Sequence, residues 1–333
     1  FNYFDTRPGR ANQNLVFWFA RETRRPDLAS AEWARVRKSA ETGDKSYGRG
    51  LVFALLWSPT TETTDQPTTG PLLWQGGGHQ PVAVFRTAWN DPAATWLAIK
   101  GGTANYSHGH MDAGTFVIEA NGVRWAIDPE IEDYLDARNR TGLTHAQFFS
   151  YAQDSARWAH FRLGPDGHNI LRFNHARQNV DGQATIGPMR KSSEGASVEI
   201  NLDTTYAGQA ASVRRVASLR SDGTVMIDDT WTDLADHPSE VTWQWLTAAQ
   251  ASLEPGGVCL KQDGQTLHLR VIGAEPNRIE LQDVAPLLDA KFDAPLPGYT
   301  RIVIRVTSPT GARGSLRVIA GSALPPTETP PSR

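Results

Sequence analysis

The sequence has very little cysteine and almost no net charge. Cys259 is the one cysteine among 333 residues, which excludes an internal disulfide framework and any multi-cysteine metal cluster. With 33 basic and 36 acidic side chains the formal net charge is −3, which excludes a polybasic chain that binds nucleic acid or an anionic membrane through its overall charge. Metal ligands are therefore expected among the histidines and carboxylates.

Long hydrophobic runs are also missing. No stretch approaches the roughly 20 apolar residues that a membrane-spanning helix needs, so no membrane span is expected. Apolar residues make up 39% and charged residues 21% of the chain, which is enough for one large or two ordinary packed domains. The chain begins at Phe1, without an initiator methionine or a signal-peptide pattern, so we expect a mature or cleaved piece of a longer protein.

Helical patterning is confined to residues 1–60. The apolar block Leu15–Ala20 ends before Pro26, a second segment at helical spacing ends near Gly43, and Gly50–Trp57 is a third short apolar segment. Two or three short helices cannot bury all of these faces by themselves. We therefore expect residues 1–60 to be the end of a larger helical domain, followed by a linker over 61–80.

After the linker the pattern changes to short β-branched and aromatic runs separated by Gly, Asn and Pro. Asn121-Gly122, between two such runs, is typical of a hairpin turn. Many consecutive strands without intervening helices predict a mainly β fold, an antiparallel β-sandwich over 81–322, with a disordered tail over 323–333. The first four predicted strands are Val82–Arg86, Trp96–Lys100, Thr115–Glu119 and Arg124–Asp128.

Two histidines and an aspartate in the first half of the predicted sandwich form a metal-ligand pattern, and a further histidine stands beside one of them. His108 and His110 flank a glycine, and in an extended segment their rings would lie on opposite faces. Asp128 follows three apolar residues and needs a partner, because a lone buried charge is costly. Two imidazoles and one carboxylate from neighbouring strands, His110, His168 and Asp128, predict a zinc site, and another divalent cation would also suit these donors.

The segments that carry these residues resemble the heparinase II/III-like polysaccharide lyases. The resemblance covers most of residues 1–180 in order, and the later strands suit the β-sandwich of that family. The opening residues with Phe17–Ala20 resemble the last helices of the family's (α/α) toroid. The matching segments are Lys100–Gly102, Tyr106–Phe116, Arg124–Asp128, Asp133-Tyr134, Arg157-Trp158, Arg162, and His168–Leu171 with Gln178.

The resemblance implies a polysaccharide lyase in which a helical toroid docks against the sandwich, with the site in the cleft between them. Most of that toroid is missing from this sequence, and in the family it supplies a Tyr and an Asn or His that act on the uronate. We therefore expect the N-terminal toroid part as a partner, in the same protein or as a separate chain. The sequence departs from the family pattern at Glu130, where a Gly is usual, and in the long segment Leu135–Ala156.

A lyase of this kind cleaves a uronate-containing polysaccharide by β-elimination, which requires a base, a donor that neutralises the uronate carboxylate, and an acid for the leaving oxygen. We assign His108 to the cleft as base or neutralising donor, and Tyr134 to the acid/base pair or to substrate contact. The zinc ion would fix the strand that carries His108. The expected substrate-binding residues are Asn105, Arg157 and Arg162; for either arginine a solvated ion pair is the alternative.

Two other functions stay open at this point. Glu130 with Glu132 or Asp133 could serve a glycoside hydrolase, and the sandwich could belong to a non-catalytic carbohydrate-binding protein. The sequence does not indicate which polymer is used (alginate, heparan, a chondroitin type or another uronate), nor endo or exo cleavage. The resemblance and the size of such substrates imply a periplasmic or secreted location.

Overall fold

The computed structural model describes residues 13–43, 50–58, 69–129, 132–234, 239–273, 278–308 and 310–324. These residues fall into two compact units that separate between Pro71 and Leu72. The predicted tail beyond Leu324 and most of the predicted linker lie outside the described residues. Within the described ranges, every helix is too short or too polar to cross a membrane.

The first unit is a small group of helices, α1 (Leu15–Glu22), α2 (Ser30–Thr42) and α3 (Gly50–Trp57). All three predicted helices are therefore confirmed. The side chains that they bury against one another are mostly small, whereas α3 leaves Leu55 68% and Leu56 64% exposed. This unit has more apolar surface than it covers by itself.

The second unit contains three antiparallel sheets, so the predicted mainly β sandwich is confirmed. One sheet has five described strands: β1 (Leu73–Gly76), β2 (Val82–Arg86), β3 (Trp96–Lys100), β4 (Phe116–Ala120) and β5 (Val123–Ala126). A four-stranded sheet contains β6 (Leu171–Phe173), β12 (Ser239–Thr247), β16 (Ile279–Asp283) and β17 (Thr300–Ser308).

The third sheet has nine described strands, with β13 at one edge. Its members are β7 (Thr185–Ile186), β8 (Arg190–Ser192), β9 (Gly195–Asn201), β10 (Ser212–Arg220), β11 (Val225–Thr232), β13 (Gln250–Glu254), β14 (Gly257–Gln262), β15 (Gln265–Ile272) and β18 (Arg313–Gly321). Strand β1 lies inside the segment 61–80 that the sequence predicted as linker, because Leu73–Gly76 pairs with β2.

One continuous core joins the three sheets. It includes the largest buried aromatic side chains, Trp125, Trp231, Trp243 and Trp245, and the inward-facing residues of strands such as β10, which alternates buried and half-buried positions. Such alternation is what a strand with one face on a core requires. The core therefore fixes the register of the strands from whose ends the candidate site is built.

The hairpin β4–β5 carries the predicted turn and an irregularity that the sequence did not indicate. Asn121 and Gly122 have φ of 53° and 72°, the left-handed conformation that a tight hairpin turn requires. Ala120 pairs with Val123 and Glu119 with Arg124, but Ile118 pairs with Ala126, so one extra residue is accommodated in β5. This β-bulge bends the strand just before Asp128.

Two short helices follow this hairpin, α4 (Tyr134–Thr141) and α5 (His145–Phe148). The side chain of Asp133 accepts hydrogen bonds from the first turn of α4, and Thr144 with Gln147 forms a capping box at α5. The segment Leu135–Ala156, expected as a long loop, is therefore largely helical at its start. It brings Tyr134 and Tyr151 to the neighbourhood of His108.

Candidate functional site

The turn before β4 presents two histidines differently. His108 is exposed and has φ of 63°, in the left-handed region that a non-glycine residue rarely adopts, whereas His110 is fully buried. The two rings thus differ in exposure, but the extended segment predicted here is wrong, because His108 lies in a turn. Gly109 is required between them, since a Cβ there would lie 2.3 Å from the backbone oxygen of Ala104.

His110, Asp128 and His168 come together as the sequence predicted. Each offers a ligand atom within 4.8 Å of the others, and all three residues are at most 3% exposed. His168 Nδ1 lies 3.0 Å from Asp128 Oδ2, and the rings of His110 and His168 have centroids 5.4 Å apart. Three donors from three separate segments therefore converge on one point inside the sandwich unit.

The donor set fits a divalent cation. Two ligands about 2.0–2.1 Å from a tetrahedral zinc ion are about 3.3 Å apart, close to the separation found between His168 and Asp128. The buried Nε2 of His168 has no hydrogen-bond partner among the described residues; an ion bound on Nε2 would satisfy it, whereas an ion held between Nδ1 and Asp128 would not.

The cluster is strongly coupled electrostatically. Burial lowers the pKa of His168, but the charge and hydrogen bond of Asp128 outweigh it and raise the pKa above its ordinary value. The pair thus favours a proton between Nδ1 and the carboxylate, and an ion held by these two atoms would displace it.

A layer of buried amides positions the three residues of this cluster. Asn169 donates to the backbone oxygens of Phe116 and Ile127 at 2.7 and 2.9 Å and accepts from the N–H of Leu246 at 2.6 Å. Because these partners lie on β4, after β5 and on β12, one side chain ties together the segments that carry Asp128 and His168. Gln178 holds the turn after His110 in the same way, by exchanging two hydrogen bonds with the backbone of Ala113.

Two buried ion pairs lie under this layer. Lys100 Nζ is 2.6 Å from Asp112 Oδ1, with both side chains at most 1% exposed. Arg215 forms a bidentate pair with Asp229 and also donates to the backbone oxygens of Gly114 and Asn169. A buried charge without a partner would be costly, so these pairs fix the backbone on both sides of the cluster.

Arg157, predicted to bind substrate, is fully buried. Its guanidinium lies 4.9 Å from the ring centroid of Tyr151 and 5.7 Å from that of Tyr134, and it donates to the backbone oxygen of Gly109 at 3.1 Å and to Tyr134 Oη at 3.4 Å. Neither the substrate contact nor the solvated ion pair expected from the sequence describes this arrangement. The residue holds the turn of His108 and the tyrosines together from behind.

Tyr134 and Tyr151 flank His108. Tyr134 is half-buried, and its ring lies nearly parallel to that of His108, with centroids 6.4 Å apart and an interplanar angle of 14°. The hydroxyl of Tyr151 accepts a hydrogen bond from the backbone N–H of His108 at 3.0 Å. Sequence reasoning missed Tyr151, since it stands in a segment without a recognisable motif.

Asn105 lies where a ligand could reach it, whereas Arg162 does not. Asn105 is exposed, donates to Asp181 Oδ1 at 2.6 Å and lines an open cavity of about 600 Å³ together with Tyr151 and Gln153. Arg162 is 7% exposed and donates to the backbone oxygens of Ala294 and Pro295. Its burial favours a structural function, and burial also lowers its pKa.

The carboxylates considered for hydrolysis have structural partners. Asp133 caps α4, and Glu132 pairs with Arg140 and accepts from the N–H of Ala294 at 3.1 Å. Glu130, the departure from the family pattern, lies outside the described residues. This arrangement gives no support to a pair of free catalytic carboxylates in the described part of this segment.

Comparison with solved structures shows the fold. The chain is 13% identical to the heparan sulfate lyase HepC from Pedobacter heparinus, with a TM-score of 0.57 over 90% of this chain and 43% of that one. It is 15% identical to heparinase III, with a TM-score of 0.52 over 72% of this chain and 35% of that one. The chain thus spans less than half the length of the structures it matches.

Curated proteins give no match at a significant level. The family comparison covers much more of the chain than a single motif. The model of the family described as "Heparinase II/III-like, C-terminal" matches residues 81–314, from just before β2 into the start of β18. Because this match covers well over half of the sequence, the chain belongs to the heparinase II/III-like C-terminal family.

Proposed function

We propose that this chain is the C-terminal part of a polysaccharide lyase that cleaves a uronate-containing polysaccharide by β-elimination. The observation that carries the proposal is an exposed histidine held in a left-handed turn directly beside a buried three-donor cluster. Family membership and the fold shared with two polysaccharide lyases support it. Residues in strained backbone conformations persist where the surrounding structure fixes them, often at functional sites.

The chemistry of β-elimination suggests a function for each exposed or half-buried group at the site. Removal of the C5 proton of a uronate places further negative charge on the neighbouring carboxylate, so groups that donate hydrogen bonds must be positioned before the reaction. His108 would act as the base or as a donor to that carboxylate. As the bond from C4 to the glycosidic oxygen breaks, Tyr134, stacked beside His108, would protonate that oxygen or, where His108 is the donor, take the C5 proton, and Asn105 would contact a neighbouring sugar at the cavity.

His110, Asp128 and His168 would hold the metal ion, with zinc favoured by the two imidazoles and the carboxylate. When bound, the ion supplies a fixed positive charge behind the turn and links three segments of chain. Asn169 and Gln178 orient the ligand-bearing segments, and Arg157 holds Gly109 and Tyr134 in place. Asn169, Gln178 and Arg157 are therefore positioning residues in this proposal.

The activity would need an N-terminal helical part. The structures matched are more than twice as long as this chain, and α1–α3 leave large apolar side chains exposed. We therefore include an N-terminal toroid, in the same protein or as a separate chain, as the partner that completes the cleft. A polymeric substrate of this kind also favours a periplasmic or secreted location.

The experiment uses the complete protein and a panel of uronic polysaccharides, with formation of the unsaturated product followed by ultraviolet absorbance. His108→Asn should lower kcat at least about 100-fold, because general acid–base groups contribute on that scale or more. Asparagine tolerates the left-handed backbone, so the fold should be retained. His175→Asn is the matched control, since His175 is also exposed and left-handed, with φ of 59°.

Three outcomes would contradict the proposal. Cleavage without an unsaturated product would indicate a hydrolase, and binding without cleavage of any polymer would indicate a carbohydrate-binding protein. Equal kcat values for His108→Asn and the His175→Asn control would remove His108 from the chemistry.

A further inference from the structure

A second group of metal-ligating side chains lies far along the chain from the candidate site. Glu254, Cys259 and His268 each offer a ligand atom within 4.8 Å of the others. They stand on β13, β14 and β15, three neighbouring strands at one edge of the nine-stranded sheet. Neither the family resemblance nor the proposed lyase chemistry uses these residues.

The register of the sheet explains why they meet. Cys259 lies directly opposite His268 on β15, while Glu254 is placed diagonally from it on β13. Side chains directly opposite in an antiparallel pair have Cβ atoms about 4.5–5.5 Å apart. The intervening residues Val258 and Leu269 belong to the main core, so the three ligand-type side chains share the opposite face of the sheet.

The contacts within the group are close enough for coordination. His268 Nδ1 is 2.9 and 3.0 Å from the two carboxylate oxygens of Glu254, a spacing similar to that of two ligands on one tetrahedral ion. Cys259 is only 8% exposed and is not in a disulfide, and no hydrogen bond of its thiol is found in the described part of the chain. A nearly buried, unpartnered thiol thus faces an imidazole and a carboxylate.

We propose that Glu254, Cys259 and His268 form a second metal site, for a divalent transition-metal ion of the zinc class. A thiolate, an imidazole and a carboxylate are all zinc ligands, and the two negative charges balance the ion. The side chains of Glu254 and His268 are 30% and 34% exposed, so an ion can enter from solvent and keep a water as fourth ligand. Cys259 thus adds a thiol to the histidines and carboxylates among which metal ligands are expected.

The site would link the edge strand β13 to the next two strands inward, β14 and β15. β13 is at the edge of the described sheet and contributes Glu254, while the other two ligands come from the next strands inward. Edge strands expose unpaired backbone groups and need some protection from pairing with other chains. An ion bound across β13, β14 and β15 would hold the edge in register and raise thermal stability by linkage.

The single cysteine gives the test an unambiguous signal. Metal-free protein is titrated with Co²⁺, and thiolate-to-cobalt charge-transfer absorption in the near ultraviolet is recorded. Since Cys259 is the one cysteine in the chain, this band cannot arise from the cluster of His110, Asp128 and His168. We expect the band to saturate by two equivalents of added Co²⁺, since one ion binds at Cys259 and the cluster of His110, Asp128 and His168 takes up the other without contributing to the band.

The variants Glu254→Gln and His268→Asn should weaken this binding about 100-fold, since loss of even an outer-shell partner costs about 10–100-fold. The control is His175→Asn, which removes a histidine from an exposed contact with Glu240 and should leave the titration unchanged. A measurement without variants is alkylation of Cys259, which Zn²⁺ at ten times its Kd should slow about tenfold.

Two results would overturn the proposal. One is the absence of a charge-transfer band in the unsubstituted protein together with unprotected alkylation. The other is a band that both Glu254→Gln and His268→Asn leave unchanged, which would indicate a thiol that binds the ion alone.

Discussion

The cluster of His110, Asp128 and His168 and the cluster of Glu254, Cys259 and His268 use similar side chains but are built differently. The first draws its residues from turns and strand ends, is buried, and is held by a layer of amides. The second comes from the regular register of three adjacent strands, and two of its side chains are about one-third exposed. The first arrangement needs many supporting residues, whereas the second needs only correct strand pairing.

Because the two clusters differ in burial, they should contribute differently to the free energy of unfolding. A buried histidine and carboxylate depend on each other, because neither can be solvated when its partner is removed. In the exposed cluster water can replace a lost partner. The buried cluster should therefore contribute to stability even without metal, while the exposed cluster should contribute mainly when an ion is bound.

The largest effect is expected for Asp128→Ala compared with Glu254→Ala. Removing one partner of a buried pair costs about 3–5 kcal/mol of unfolding free energy, whereas an exposed pair contributes about 0–1 kcal/mol. Both variants are measured by urea unfolding in the presence of a chelator. Equal losses would show that burial does not distinguish the two clusters.

Asn169→Ala should have the next largest effect. It leaves the oxygens of Phe116 and Ile127 and the N–H of Leu246 without this partner, and an unsatisfied buried group costs about 1–3 kcal/mol. We expect a loss of about 3 kcal/mol and weaker metal binding at the first cluster. The control Asn179→Ala, which removes bonds to two surface carbonyls, should cost about 1 kcal/mol or less. A similar cost for both would contradict the positioning function of Asn169.

Tyr151→Phe should have a smaller effect on stability. The change removes the acceptor of the His108 N–H but keeps the ring beside Arg157, so we expect about 1 kcal/mol. Lyase activity of the complete protein should fall more than in the Tyr106→Phe control, in which Tyr106 is an exposed tyrosine of the same turn. Unchanged kcat in Tyr151→Phe would show that this hydrogen bond does not support the turn.

The last prediction is a pH dependence that arises outside both clusters and has a small net effect in the unsubstituted protein, because its two sources oppose each other. Burial lowers the pKa of His160 from 6.5 to about 4 and raises the pKa of Asp293 from 3.8 to about 6. Between pH 4 and 6 the unfolded state binds more protons at His160 than the folded state does. The contribution of His160 to the free energy of unfolding is therefore lost as the pH falls. At Asp293 the folded state binds more protons, so its contribution is lost as the pH rises.

These two contributions oppose each other in the unsubstituted protein. Relative to it, Asp293→Asn should lose stability more steeply as the pH falls from 6 to 4, and His160→Leu should lose it less steeply. Urea midpoints measured across this range test both signs. The pKa of His160 is also affected by a hydrogen bond with the backbone of Phe292 and by the charges of Glu132, Arg157 and Arg140. Parallel stability profiles for the unsubstituted protein and both variants would show that His160 and Asp293 do not cause the pH dependence.

Much of the fold was predictable because local patterns agree with tertiary structure. The three N-terminal helices, the strands β2 to β5 and the Asn121-Gly122 turn follow from periodicity and turn chemistry, whereas strands such as β13 and β18 gave no clear sequence pattern. That His110, Asp128 and His168 come together was predictable from residue type and family motifs. Their second layer was not, since an amide such as Asn169 gives no local signal of the three segments that it joins.

The arginines show the limit of reasoning from residue type. Arg157 and Arg162 were expected near substrate because guanidinium groups bind carboxylates, but both are buried. Their surroundings consist of aromatic rings and backbone oxygens that come from distant parts of the sequence. The second cluster was missed for a similar reason, because its residues meet only when the register of β13, β14 and β15 is known.

The extra residue in β5 has a consequence for changes in chain length. Because side chains alternate along a strand, removing one residue between Val123 and Ala126 could restore uninterrupted pairing with β4 while altering the direction in which Asp128 projects. A shortened hairpin could then remain well formed and yet abolish the three-residue cluster. The number of residues between the Asn121-Gly122 turn and Asp128 is thus as necessary to the cluster as its three side chains.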